Sequence, residues 1–177
     1  MASAADLILP CLKRQGLVEA VQKEGLSFVI KPEVSVKPHP GQIGGVVWGG
    51  FGVVLGVNKK GRAGTLPFIH LRMGFGEDTL LHEMGHFLSW RLFRKTGRHV
   101  LGLFTHEEQE EMRWWLLYTK GWPLDSWTDT SPYFFGKVTR GDDEIVAEMF
   151  AIYLCDGNFP KLLAEKLAFM VKLLKEA

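Results

Sequence analysis

His82 and His86 stand four residues apart in the run His82-Glu83-Met84-Gly85-His86. A helix turns once in about 3.6 residues, so imidazoles at that spacing rise from one face, a turn apart, and can grip a single divalent cation. Glu83 is displaced far enough around the helix to reach a water on that cation and take its proton. The chemistry this allows is metal-assisted hydrolysis. The bland alternative is two histidines on an ordinary amphipathic helix. Against it, Leu80, Leu81, Met84, Phe87 and Leu88 supply an apolar face, while His82, Glu83, His86 and Ser89 form a neighbouring polar strip that reads as a cleft wall. Gly85 costs roughly 1 kcal/mol relative to alanine inside a helix, which makes sense if another backbone passes close by.

A catalytic zinc takes three protein ligands and keeps a further position for water. In one common arrangement the third ligand is a His six residues on, but Leu92 stands there, and no Asp or Glu follows before Glu107. Cys11 lies too far upstream to offer a cysteine ligand beside the helix. What remains is a glutamate on a separate downstream helix, and Asp143 to Cys155 provides one. Apolar residues appear on nearly every side of that segment, and no Lys or Arg lies between Arg140 and Lys161 to neutralise Glu144 and Glu148. Two carboxylates four apart on a helix repel unless a cation or a protonated imidazole lies beside them. A zinc ion for Glu144 and a ligand histidine for Glu148 would satisfy both. The alternatives are a first-turn carboxylate favoured by the helix dipole for Glu144, and a half-exposed helix-edge position for Glu148.

His82, Glu83 and His86 followed by Glu144-x-x-Ala147-Glu148-x-Phe150-Ala151 resembles the gluzincin metallopeptidases, in which a glutamate helix closes the zinc site. Within that clan the chain is similar to the minigluzincins, to the repressor-cleaving peptidases of mobile elements and to the catalytic domain of anthrax lethal factor. The similarity runs from the strand before His82 to the end of the glutamate helix. It implies that His82, His86 and Glu144 ligate zinc, that Glu83 is the general base, and that Glu148 orients a ligand histidine. In the lethal-factor branch a tyrosine seven residues before the ligand glutamate stabilises the oxyanion; here that position is Lys137, a departure. Tyr133, in the loop Ser131 to Gly136, is the nearest tyrosine and the candidate for this catalytic role, with His99, His106 and Arg140 as rivals. An aromatic in such a loop serves as often as a packing anchor.

The 177 residues suit one domain over 1–177 with a proper core. A formal charge of +1 offers no basic field, so no nucleic-acid partner is expected. Two cysteines, Cys11 and Cys155, are too few for a disulfide framework. Met1 to Leu12 lacks the early positive charge and long apolar run of a signal peptide, and no stretch approaches the roughly twenty apolar residues of a membrane span. The simplest compartment is the cytoplasm, with a removed leader or another secretion route as alternatives. A phosphate-cradling loop is the alternative reading of the glycines between Gly41 and Gly56, but Gly50-x-Gly52-x-x-x-Gly56 has the wrong spacing, and Gly61 is followed by Arg62 and Ala63 where Lys and Ser or Thr would be needed.

The elements that must position the site follow from turn and capping signals. One or two helices around Leu12 to Glu24 are interrupted near Pro10 and Gly16 and end at Gly25. Ser27 to Lys31 alternates into a short strand, stopped by Pro32. The glycine-dense run Gly41 to Gly56 suits strands joined by a tight glycine turn. Leu66 to Met73 is a strand leading through Gly74-Phe75-Gly76 into the zinc helix, and Pro67 fits an edge position beside the cleft. The zinc helix starts near Asp78 or Thr79 and stops before Gly97. Thr105-His106-Glu107-Glu108 is a capping box opening a helix that ends at Gly121-Trp122-Pro123. The long loop Trp122 to Gly141 is a candidate substrate-selecting rim, and Lys161 to Lys175 is an amphipathic helix.

The expectation is an α+β, zincin-like metallopeptidase domain with a small mixed N-terminal sheet, an active-site helix and a mainly helical C-terminal half. It would be monomeric, hold one Zn2+ and hydrolyse a peptide or protein substrate. Alternatives are a protease dedicated to one regulatory partner, a non-catalytic module that keeps the metal for stability, and a latent enzyme with a terminus in its cleft.

Overall fold

Gly16 and Gly25 both adopt positive φ, 66° and 67°, and these are the points where the first two helices stop. In the computed structural model, which describes residues 4–32, 34–35, 46–47, 49–57, 63–120, 140–155 and 160–176, these are α1 (Ala4–Gln15) and α2 (Val18–Glu24). The end of α2 is a Schellman turn: Gly25 N–H donates to Gln22 and Leu26 N–H to Val21. The break at Gly16 agrees with the sequence. Pro10 does not interrupt α1, however, because Ile8, Cys11 and Leu12 are buried along one face and hold the helix through the single lost donor. Among the described residues the chain is mixed α and β, with six helices, a three-stranded sheet and a two-stranded ribbon. It divides into two compact units, 1–83 with 175–177, and 84–174.

The first unit contains the strands β1 (Ser27–Lys31), β2 (Val34–Ser35), β3 (Val46–Val47), β4 (Gly49–Val57) and β5 (Ala63–Arg72). The sheet order is β1-β5-β4, with β5 parallel to β1 and antiparallel to β4, while β2 and β3 pair with each other. β5 is therefore the central strand, not the edge that its Pro67 implied, and β4 is an edge. Proline is tolerated because β1 begins pairing only at Ser27 opposite Phe68, so Pro67 has no β1 residue opposite it.

β4 begins at Gly49 and continues unbroken through Gly50 and Gly52 to Val57; 41–45 and 48, in the same run where a glycine turn was expected, lie outside the described residues. Two of these glycines make room. A Cβ on Gly52 would lie 2.5 Å from the Phe68 ring, and one on Gly49 would lie 2.7 Å from Glu83 Oε1. Glycine within a strand often marks such a close approach.

After a turn at Gly74 (φ 83°), α3 (Glu77–Thr96) begins and ends before Gly97, which again has positive φ. From Leu80 to Leu92 every residue of α3 except His82 is buried. Of the polar strip read as a cleft wall, Glu83, His86 and Ser89 are 6%, 5% and 1% exposed, and His82 is half-buried.

The second unit holds the remainder of α3, a 3-10 turn (Val100–Leu103), α4 (His106–Lys120), α5 (Arg140–Cys155) and α6 (Lys161–Lys175). Phe87, Met112, Leu116, Ile145, Phe150 and Leu167 are buried in its core. α4 opens with the expected capping box, closed both ways: Thr105 N–H donates to Glu108 Oε2 at 2.7 Å and Glu108 N–H to Thr105 Oγ1 at 3.3 Å. Lys166 on α6 reaches the same carboxylate and also donates to the Leu103 carbonyl. The Lys166 hydrogen bond, with that from the Thr105 backbone, holds the Glu108 carboxyl below the usual glutamate value of 4.5. A depressed carboxylate pKa adds stability that is complete above the unfolded value and is lost as pH falls through the folded one. Thr105→Ala is expected to cost about 1 kcal/mol in urea unfolding. Lys166→Met should lower the thermal midpoint at neutral pH and flatten its decline below about 4.5. An unaltered acid limb in that variant would show the pair to be thermodynamically silent.

Candidate metal centre

Gly85 sits between His82 and His86 on α3, and the absence of its side chain lets α5 come against this helix. A Cβ on Gly85 would lie 2.6 Å from Ala147 Cα and 3.1 Å from Ala147 O. The two nearest atoms are backbone, so the cost of a mid-helix glycine has the cause expected from sequence: a second helix passes over it. Ala147 lies one turn after Glu144, and the contact delivers Glu144 to His86.

His86 Nε2 and Glu144 Oε1 are 3.6 Å apart. His86 is buried and the Glu144 side chain is 28% exposed, so the carboxylate closes a site that retains an outlet to solvent. His82, one turn earlier on the same unbroken helix, is half-buried and completes the set. One ligand atom from each of His82, His86 and Glu144 can be chosen so that all lie within 4.8 Å of one another. Among the described residues this is the one group of His, Cys, Asp and Glu side chains found with metal-binding spacing.

The donors fit a small, borderline cation. Zinc bonds to imidazole nitrogen and carboxylate oxygen are about 2.0–2.2 Å long, so two donors on a tetrahedral ion stand roughly 3.4 Å apart. The observed 3.6 Å is close to that span and longer than a charge-assisted hydrogen bond. Two imidazoles and one carboxylate also make up a three-ligand set of the kind found in catalytic zinc sites, which leaves a coordination position open.

Glu83 follows His82 directly, is buried, and is not one of the three clustered donors. Glu148 lies one turn beyond Glu144 on α5, half-buried, and is likewise outside the cluster. Of the rivals for the oxyanion role, His99 packs its ring on Phe93, 5.1 Å between centroids, and His106 is exposed in the first turn of α4. Neither joins the ligand cluster. Arg140 is the first residue of α5. Tyr133 lies outside the described residues, as does most of the loop Trp122 to Gly141. Gly49, where a Cβ would collide with Glu83, had no signal in the sequence beyond the density of glycines in an otherwise β-forming run.

No family model, curated protein or solved structure matches this chain. Among the described residues no helix is long and apolar enough to cross a membrane.

Proposed function

We propose that this chain is a zinc-dependent endopeptidase of the gluzincin type. The observation that carries the reading is the 3.6 Å approach of Glu144, from a distant helix, to one of two histidines spaced a turn apart. Zinc in such a set polarises a carbonyl and lowers the pKa of a water toward neutrality. The residues of the chain do the rest. Glu83 accepts a proton and returns it to the leaving amine, a role suited to a carboxylate beside the ligands but not one of them. His82 and His86 bind as neutral imidazoles, each with a second ring nitrogen to be held by a hydrogen bond. Glu148 serves as the acceptor that orients one of them. Tyr133 is the proposed donor to the oxyanion.

Protein purified without chelator or added metal should carry close to one zinc per chain. Stripping the metal should abolish digestion of a peptide library, and restoring zinc should recover it. Manganese, cobalt or nickel can enter similar ligand sets, so the content is to be measured before any loading. A chain that binds no divalent ion, or cleaves equally well without one, would defeat the reading.

A further inference from the structure

We infer that Gly49 is a positioning residue for Glu83: the bare backbone at this point of β4 is the seat in which the general base is held. The inference rests on the proposed role of Glu83, and its geometry is independent of that role. A Cβ on Gly49 would lie 2.7 Å from Glu83 Oε1, 2.9 Å from Cγ and 3.1 Å from Cδ. The outer half of the glutamate side chain therefore lies against the strand backbone with no space for one further carbon. Gly49 is held in the ladder opposite Leu71, and Glu83 is only 6% exposed, so the collision must be relieved largely by turning the carboxylate.

The next residue supplies the control. Gly50 is in the same strand, opposite His70, and a Cβ there meets nothing within 4 Å. Adjacent strand residues point to opposite faces, so both replacements alter the backbone alike but only one touches the base. A displacement of about 1 Å at a catalytic group can cost on the order of a hundredfold in rate.

Gly49→Ala is expected to keep the zinc content of the parent protein and its KM on a quenched fluorescent peptide drawn from the library digest. Its kcat should fall by about a hundredfold. Gly50→Ala should match the parent in all three. The thermal unfolding midpoint of the metal-free protein gives a second readout that needs no activity. There Gly49→Ala should lower the midpoint by roughly 2–4 °C, and this loss should vanish in a Glu83→Ala background, where the carboxylate is no longer present. Equal damage from both glycine variants, parental turnover by Gly49→Ala, or a thermal loss that persists without the Glu83 side chain would overturn the inference. If the parent cleaves no peptide, the peptidase reading fails, and the thermal cycle alone decides whether Gly49 seats Glu83.

Discussion

Glu83→Ala is expected to leave zinc bound at the parental stoichiometry while peptide hydrolysis falls by about 10²–10⁴-fold, the usual contribution of a general base. The separation of the two effects is the point of the experiment. Glu83 is not one of the three clustered donors, so its removal does not subtract a ligand. It is buried beside His82, so no bulk solvent reaches its place freely to substitute for it. Glu144→Ala should show the opposite order of events, losing the metal and therefore the activity with it. Measurement of metal content and kcat on the two variants side by side distinguishes base from ligand. Undiminished turnover by Glu83→Ala would mean that another group carries the proton, and metal loss in that variant would mean that the glutamate is itself a ligand.

Gly85→Ala should weaken both fold and zinc affinity, although alanine is the better helix former. Propensity alone favours the substitution by about 1 kcal/mol. The added carbon, however, would lie 2.6 Å from Ala147 Cα, and backbone cannot rotate away as a side chain can. Overpacking of a close helix contact costs typically about 1–3 kcal/mol, so the balance is a net loss. Relief requires α5 to move off α3, which carries Glu144 away from His86. Contacts that orient metal ligands are commonly worth about 10–100-fold in affinity, and a loss of that size is expected in zinc titration against a chelator. Adding Ala147→Gly should not restore binding, since the two nearest atoms are main-chain Cα and O. Recovery in the double variant would place the obstruction in the Ala147 methyl instead.

Tyr133 falls between α4 and α5 in sequence, within 121–139, which lie outside the described residues. Tyr133→Phe offers a narrow test: about 10²–10³-fold in kcat if the hydroxyl faces the developing charge, with metal content unchanged. A parental rate would exclude the Tyr133 hydroxyl and leave His99, His106 and Arg140 as the donors to test.

Much of this protein was determined within short stretches of chain. The register of His82, Glu83 and His86 on one helix, the Thr105–Glu108 capping box, the limits of α6 and the helix stops at Gly16, Gly25 and Gly97 all follow from hydrogen bonds and periodicity acting over a few residues. The segment carrying Glu144 was also legible as a separate, largely apolar helix with two glutamates four residues apart. What the tertiary structure alone decided is how far apart things stand. Gly49 meets Glu83 and Gly85 meets Ala147 across long separations in sequence, and a glycine that clears space reads the same, letter for letter, as one that makes a turn. β5 became central, with its proline tolerated, only through the choice of neighbours β1 and β4, and strand pairing is a non-local choice. The burial of Glu83 and His86 belongs to the same class: a helix records which residues share a face, while its surroundings determine which faces remain in water.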